Sequence, residues 1–235
     1  MTNIYVGDLH GNLYAFEKAI EEFESKDYNK IVFLGDYVDS YEYSDVEILH
    51  LLKSVIEYKK ANPDKVILLL GNHDWQYYNL YEDWFRCSGF RMTYCHEVYD
   101  IFSKNKDLFQ IGFKQGEYLA THAGISNKWY SRYADRLYYY AQKHLDIKGD
   151  FDTILNIVKD THDNWILSTI GKVRGGYGVG GPLWADKTEM NRHDSDKRFK
   201  QIIGHTGVHD ILTVDNVTFI DCLYKTTKFL TIDHE

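Results

Sequence analysis

The chain has 235 residues, of which 44% are hydrophobic and 26% charged, with a formal net charge of −8. These values are typical of a globular protein, and the length fits one large domain over 1–235 better than two small ones. The acidic balance argues against general nucleic-acid binding, which normally needs a basic face. The sequence shows no signal peptide, no apolar run long enough for a membrane span and no CxxC spacing among Cys87, Cys95 and Cys222. We therefore expect a cytoplasmic protein with free thiols and no membrane partner.

Short apolar runs recur along the chain, and glycine or a turn follows each of them. They are rich in β-branched residues and four to six residues long, which predicts strands buried on both faces. The predicted strands cover 3–6, 30–34, 65–70, 117–121 and 200–204. Between the first three strands, the apolar spacing predicts amphipathic helices over 12–26 and 44–60. The second helix opens with a capping box formed by Ser44 and Glu47.

This alternation of strands and helices predicts a parallel sheet in the first third of the chain. Residues 74–116 and 126–167 are predicted to be mostly helical. After a Gly-rich loop over 171–181, short strands in hairpin-like order are predicted over 211–215, 217–221 and 228–233. We therefore expect a single α/β domain with an antiparallel C-terminal portion. The segment GYGVGG (176–181) matches GxGxxG, but it lacks the strand–turn–helix context of a nucleotide site and is interpreted as a flexible loop.

Polar side chains stand at the end of every one of these apolar runs. The segments concerned are GDLHGN, GDYVDS, GNHD, HAG and GHT. They contribute Asp8, His10, Asp36, Asp39, Asn72, His73, His122 and His205. Each residue alone is consistent with a turn or a hydrogen-bonded surface position. Ligands of α/β sheets bind at the carboxyl ends of the strands, so the joint occurrence of these side chains favours a metal or acid–base site.

In this order and at this spacing, the motifs GDLHG, GDYVD, GNHD, HAG and GHT resemble those of the metallophosphoesterase (calcineurin-like) superfamily. The set spans residues 7–206 and is most similar to the Ser/Thr protein phosphatase (phosphoprotein phosphatase) family, including its small bacterial and phage members. The resemblance implies an α/β fold in which a two-layer β-sandwich is flanked by helices, in four α/β/β/α layers. It also implies a dinuclear metal centre at one edge of the sandwich.

The resemblance further implies a role for each polar residue. Those expected to bind metal are Asp8 and His10 at the first ion, Asp36 as the bridge, and Asn72, His122 and His205 at the second ion. His73 would be the catalytic residue beside the scissile bond, with Asp39 as its partner. Two divalent cations neutralise phosphoryl oxygens and generate hydroxide near neutral pH, so we expect direct attack of metal-bound hydroxide on a phosphomonoester. Nitrogen and oxygen ligands admit Mn²⁺, Fe, Zn²⁺ or Co²⁺, and the resemblance favours Mn²⁺.

Two features depart from the patterns of related families. Phosphoprotein phosphatases usually continue the second motif as GDxxDRG, whose Arg binds phosphate, whereas Ser40 stands here. We expect Arg174 to bind the substrate instead, with Arg192 as the second candidate; a solvated loop cation is the alternative interpretation of Arg174. Asn72, a neutral ligand, is expected to leave the centre positive enough to attract the anionic substrate. The last motif has Gly207 where many nucleases and phosphodiesterases have a second His, which favours the monoester phosphatases.

The sequence thus favours a metal-dependent phosphatase acting on a phosphoserine or phosphothreonine protein or on a small phosphoester. One alternative is a nucleotide hydrolase of the diadenosine-tetraphosphatase type, in which the Tyr and Trp residues around 75–85 would stack a base. Such aromatic residues are more often part of a core. An alternative of another class is a metal-bearing binding module without turnover. Ser40 slightly favours that module, and the complete ligand set together with the Asp39–His73 pair argues against it.

Overall fold

The computed structural model describes residues 1–82, 86–144 and 150–234. Two five-stranded sheets are present among these residues. The strands are β1 (Thr2–Val6), β2 (Lys30–Phe33), β3 (Val66–Leu69), β4 (Phe109–Gln110), β5 (Gly112–Gln115), β6 (Tyr118–Thr121), β7 (Lys200–Ile203), β8 (Leu212–Val214), β9 (Val217–Phe219) and β10 (Leu230–Asp233). The strand order is β10-β1-β2-β3-β4 in the first sheet and β5-β6-β7-β9-β8 in the second. In the described part of the chain, no helix is both long and apolar enough to cross a membrane.

Six α-helices surround the sheets in the described residues. They are α1 (Leu13–Ser25), α2 (Asp45–Ala61), α3 (Asn72–Tyr78), α4 (Cys95–Lys104), α5 (Asn127–His144) and α6 (Phe151–Lys159). The side chain of Asn12 caps α1 by accepting the N–H of Ala15. At the start of α2, Ser44 and Glu47 form the predicted capping box, which satisfies two backbone donors that a helix leaves unpaired. The helices predicted over 12–26 and 44–60 are therefore confirmed.

Alternate residues of the central strands enter different apolar clusters, as expected for strands buried on both faces. In β1, Ile4 and Val6 pack with the helices, whereas Tyr5 lies in a second cluster. That second cluster contains residues of both sheets, such as Leu69 of β3 and Ile202 of β7. It is therefore the layer between the sheets, and the structure is a β-sandwich flanked by helices, as predicted.

Two predictions about strands are wrong. Residues 74–116 were predicted to be mostly helical, but they also contain β4 and β5. Phe109 of β4 and Ile111, between the two strands, are buried at a two-residue spacing typical of extended chain. The hairpin-like order of the last strands holds only for β8 and β9, which pair antiparallel. β9 also pairs parallel with β7, and β10 pairs antiparallel with β1 in the other sheet. Leu230 and Ile232 of β10 pack against the cluster between the sheets, which explains this placement.

The register of the parallel strands brings their carboxyl ends to one edge of each sheet. Val6 pairs with Phe33, and Phe33 pairs with Leu68, so β1, β2 and β3 end side by side. In the second sheet, β6 and β7 are likewise parallel neighbours, with Ala120 opposite Ile202. The polar segments that follow these five strands are therefore positioned to meet.

Candidate active site

Five of the predicted site residues come directly after these parallel strands. They are Asp8 after β1, Asp36 after β2, Asn72 after β3, His122 after β6 and His205 after β7. Four of these residues are buried, and His205 is half-buried. Buried polar groups need partners, so the contacts of these side chains with one another determine what the site can bind.

One group of ligand atoms surrounds the carbonyl oxygen of Asn72. Asn72 Oδ1 lies 2.9 Å from His122 Nε2 and 2.8 Å from His205 Nδ1. Asp36 Oδ2 lies 3.4 Å from the same His122 nitrogen. One ligand atom from each of Asp36, His122 and His205 lies within 4.8 Å of the others. These are the four residues predicted at the second metal ion.

A second group shares Asp36 with the first. Its Oδ2 atom lies 3.5 Å from His10 Nε2, and His10, Asp36 and His73 each offer a ligand atom within 4.8 Å of the others. Asp8 is not part of this trio. Its carboxylate accepts the backbone N–H of His205, at 3.0 and 3.2 Å, and lines the same cavity as His10. Asp8 thus lies beside the predicted first metal position. His73, which was expected beside the scissile bond, also lies close to His10 and Asp36, two of the predicted metal ligands.

The hydrogen bonds of His122 and His10 test whether these groups fit a cation. The Nδ1 atom of His122 lies 2.8 Å from Leu34 O, and Nδ1 of His10 lies 2.9 Å from Asp39 O. A carbonyl oxygen can only accept a hydrogen bond, so Nδ1 of each ring carries a hydrogen and Nε2 of the neutral ring carries a lone pair. Those lone pairs face oxygen atoms of Asp36 and Asn72, which are acceptors too. Only a cation, either a proton or a metal ion, makes such an arrangement favourable, and nitrogen and oxygen donors suit divalent transition metals.

The amide orientation of Asn72 agrees with this interpretation. Its Nδ2 donates to Cys87 Sγ at 3.3 Å, which turns the carbonyl oxygen toward the two imidazoles. The Nε2 atom of His205 is buried without a hydrogen-bond partner. The three cysteines are buried and none of them forms a disulfide, in agreement with the prediction of thiols. Cys87 therefore orients a candidate ligand.

Backbone conformation shows how tightly these side chains are placed. His10, Asp36, Asp39 and His205 have φ values of 43°, 53°, 59° and 63°, a region that non-glycine residues rarely adopt. Among the described residues, only Asp215 joins them outside glycine. Such strained residues concentrate at functional sites, where the surrounding structure holds them in place.

The pKa values of the two central carboxylates, Asp8 and Asp36, shift in opposite directions. Burial raises the pKa of Asp8, and the neighbouring Asp221 raises it further. Burial acts in the same direction on Asp36, but the imidazoles of His122, His73 and His10 outweigh it and lower the pKa of Asp36. Sequence reasoning missed Asp221, although it follows the apolar run of β9 as the other site residues follow their strands. The site is thus rich in carboxylates that a bound cation would stabilise.

His73 and Asp39 form the predicted pair. His73 Nδ1 lies 2.9 Å from Asp39 Oδ2, and the imidazole ring of His73 packs edge-on against that of His10 with the centroids 5.0 Å apart. Burial lowers the pKa of His73, but the charge of Asp36 and the hydrogen bond to Asp39 raise it by more. Three further side chains that the sequence did not reveal bind the Asp39 carboxylate, namely Gln76, Tyr77 and Tyr94.

A cavity of about 340 Å³ opens beside this pair. Asp8, His10 and His73 line it together with Tyr41 and Tyr224, which are largely exposed. Substrate atoms bound in this cavity would therefore contact the candidate catalytic and metal-binding groups directly.

In the loop after Asp39, Ser40 completes a turn. Its hydroxyl accepts the N–H groups of Glu42 and Tyr43 at 3.1 and 3.3 Å. The guanidinium of Arg91 donates to the carbonyl oxygens of Ser40 and Tyr43 and to the carboxylate of Asp45. Arg91 thus anchors the loop that borders the cavity.

Of the two arginines considered for phosphate binding, Arg174 lies near the site. Its Nη2 donates to Thr206 Oγ1 at 3.0 Å, one residue after His205, and its Nε forms an ion pair with Asp186 at 2.9 Å. Burial, the charge of His122 and that of Arg174 lower the pKa of His205. Arg192 is exposed and donates to the neighbouring His193 at 3.1 Å.

The chain matches the family described as calcineurin-like phosphoesterase over residues 1–220. Because this match covers most of its length, the protein belongs to the calcineurin-like phosphoesterase family, which confirms the resemblance found in the motifs. Membership of this family implies divalent metal ions as cofactors, and the two groups of ligand atoms described above are suited to hold them.

Among curated proteins, the chain is similar to serine/threonine-protein phosphatase 4 catalytic subunits. It is 32% identical to that of Eremothecium gossypii over 126 residues, covering 51% of this chain and 37% of that protein. It is 34% identical to that of Saccharomyces cerevisiae over 103 residues, covering 41% and 32%. The chain thus spans about a third of the length of these relatives. Among solved structures, the phosphoesterase Yfce from E. coli aligns over 99% of this chain and 88% of its own, with 12% identity and a TM-score of 0.42.

Proposed function

We propose that the protein hydrolyses phosphomonoesters of the phosphoserine or phosphothreonine type, with two divalent metal ions at the strand ends. The observation that carries the proposal is the shared carboxylate of Asp36. Its Oδ2 atom lies 3.5 Å from a nitrogen of His10 and 3.4 Å from a nitrogen of His122, so one oxygen faces both ligand groups. When bound, two such ions neutralise phosphoryl oxygens and lower the pKa of water. Mn²⁺ is the expected metal.

We assign the ligands as predicted from the motifs. The six residues are Asp8, His10, Asp36, Asn72, His122 and His205. Asn72 contributes a neutral oxygen, so Asp8 and Asp36 are the only carboxylates in this set and the loaded site keeps a positive charge for the phosphoryl group.

His73 has the position and the partner required of a general acid. Asp39 holds Nδ1, which leaves Nε2 to carry the exchangeable proton beside the cavity. As the bond from phosphorus to the ester oxygen breaks, that oxygen keeps the electron pair and takes the proton of His73. A water molecule supplies the new bond to phosphorus, and its proton restores the ring. The products are an alcohol and inorganic phosphate.

The lining of the cavity favours a monoester over a dinucleoside tetraphosphate. Among the described residues that line it, none is Lys or Arg, whereas Glu42 and Asp221 add negative charge. A chain of further phosphates would be repelled there. Of the Tyr and Trp residues proposed to stack a base, Trp75, Tyr77 and Tyr78 are buried in the core. Tyr81 is exposed, but it does not line the cavity. Trp84, the other tryptophan of that stretch, lies outside the described residues.

The test is to assay the Mn²⁺-loaded protein against a phosphoserine peptide, an aryl phosphate and a dinucleoside tetraphosphate, with elemental analysis of bound metal. We expect two ions per chain, turnover of the first two substrates, and a kcat that falls about 10²-fold or more in His73→Asn with the metal content unchanged. A preference for the tetraphosphate of about 10²-fold would overturn the substrate class, a difference of nearly 3 kcal/mol in transition-state binding. Metal bound without turnover of any ester would instead indicate the binding module.

A further inference from the structure

The carboxylate of Asp39 is enclosed by donors well beyond its pairing with His73. Oδ2 accepts His73 Nδ1 at 2.9 Å and Gln76 Nε2 at 2.5 Å. Oδ1 accepts the hydroxyls of Tyr77 at 2.5 Å and Tyr94 at 3.0 Å. The residue is 2% exposed, so these four donors replace the water that would otherwise solvate the charge.

A second hydrogen bond fixes the direction of each of the three additional donors. The backbone N–H of Arg91 donates to the hydroxyl oxygen of Tyr77 at 3.0 Å, and the backbone N–H of Asp39 donates to that of Tyr94 at 3.3 Å. With a lone pair of each hydroxyl occupied in this way, its proton is directed to Asp39. Gln76 is oriented likewise, because its Oε1 accepts the N–H of Cys87 at 2.8 Å. Of the four donors, His73 alone borders the cavity.

We infer that Gln76, Tyr77 and Tyr94 are positioning residues that hold Asp39 in the one orientation in which it directs the His73 proton to the leaving oxygen. Without these donors the carboxylate could rotate about its side-chain bonds, and the His73 ring would lose its fixed partner. The misplacement would slow only the step in which the leaving oxygen is protonated. This inference rests on the proposed function, in which His73 is the general acid.

The experiment uses substrates that need the acid to different degrees. An alkoxide such as that of phosphoserine is a poor leaving group and requires protonation, whereas 4-nitrophenolate leaves without it. For each variant of the full-length, Mn²⁺-loaded protein, the measured quantity is the kcat on a phosphoserine peptide divided by the kcat on 4-nitrophenyl phosphate. Any fraction of unfolded or metal-free protein lowers both rates equally, so it does not change this ratio.

Tyr77→Phe and Tyr94→Phe remove one hydroxyl each and keep the packing of the rings, such as that of Tyr77 on Phe90. We expect each to lower the ratio about 5- to 10-fold, with both KM values unchanged, and the double variant to lower it further. The matched control is Tyr78→Phe, in the same helix. It also removes a buried hydroxyl that donates to a carboxylate, here that of Asp160, and should leave the ratio unchanged.

His73→Asn separates the failure of this inference from that of the proposed function. If His73→Asn lowers the ratio and neither tyrosine variant does, the positioning role is wrong and the acid role stands. If His73→Asn leaves the ratio unchanged, the acid role itself is wrong. Equal losses on both substrates in Tyr77→Phe and Tyr94→Phe would show a merely structural network and would also overturn the inference.

Discussion

Gly204 offers a direct test of the position of the Asp8 carboxylate. A Cβ atom at Gly204 would lie 2.1 Å from Asp8 Oδ1, whereas real Cβ contacts are essentially never shorter than 3.0 Å. In Gly204→Ala the carboxylate must therefore retreat by about 0.9 Å, the difference between these two distances. Gly204 is not among the glycines with positive φ, so alanine fits the backbone and the effect comes from this contact.

The expected consequence is a large loss of both metal binding and turnover. A displacement of about 1 Å in a catalytic arrangement costs on the order of 10²-fold in rate. Disturbing the groups that orient a ligand typically lowers metal affinity about 10- to 100-fold. We therefore expect Gly204→Ala to weaken one of two Mn²⁺ binding events in calorimetric titrations. At saturating metal, kcat should fall about 10²-fold.

The matched control for this prediction is Gly178→Ala in the Gly-rich loop. Its Cβ would meet no atom closer than the carbonyl oxygen of Ile170 at 3.9 Å, so binding and turnover should be unchanged. If Gly204→Ala bound both ions and turned over like the control, the carboxylate of Asp8 would not be a ligand. The placement of the first metal would then have to be reassigned to His10, Asp36 and His73.

Three further predictions concern the groups that support the site. Cys87→Ala removes the acceptor that orients Asn72, so Mn²⁺ affinity should fall about 10-fold in titrations, and Cys87→Ser, which keeps an acceptor, should lose less. Arg91→Met should lower the Tm by releasing the loop that carries Asp45. Hydrogen bonds from Arg91 and then Thr93 lower the pKa of Asp45, so this stabilisation is complete above the ordinary aspartate pKa. The Tm difference should therefore shrink as the pH falls from the ordinary aspartate pKa through the lowered pKa of Asp45 in the folded protein. Chelation should lower the wild-type Tm more than that of Asp36→Asn, because metal binding stabilises only the folded site.

The sequence predicted the strand ends well because the same combination, an apolar run followed by a turn with Asp, Asn or His, recurs at successive strands. The β1, β2 and β3 regions and the polar residues after them follow from patterns within a few positions. The sequence did not predict Tyr94 as a partner of Asp39, because 55 positions separate the two residues and only the tertiary fold joins them. Arg91 was missed for the same reason, since its bonds to the Ser40–Asp45 loop depend on how the segment after α3 returns.

The strands β4 and β5 were missed for a different reason. Each is at most four residues long, and both lie among charged and aromatic residues whose composition resembles that of the neighbouring helices. Pairing with β3 stabilises β4 and pairing with β6 stabilises β5, and such pairing has no local signature. Short edge strands are therefore the elements for which composition is the weakest guide.

Ser40 stands where phosphoprotein phosphatases usually have a phosphate-binding arginine, and we propose that Arg174 binds the phosphate instead. Its Nη2 already donates to Thr206 beside His205, and Asp186 holds its Nε, so the guanidinium lies next to the candidate ligands. A charge-assisted hydrogen bond contributes about 1.5–3 kcal/mol, so Arg174→Ala should raise the inhibition constant of inorganic phosphate about 10- to 100-fold. Arg174→Lys should recover only part of the loss, because lysine lacks the planar fork. Arg192→Ala, at an exposed residue, is the variant with which the inhibition constant of Arg174→Ala is compared. A wild-type constant in Arg174→Ala with a raised one in Arg192→Ala would move phosphate binding to Arg192, and wild-type constants in both would leave it to the metal ions and backbone donors.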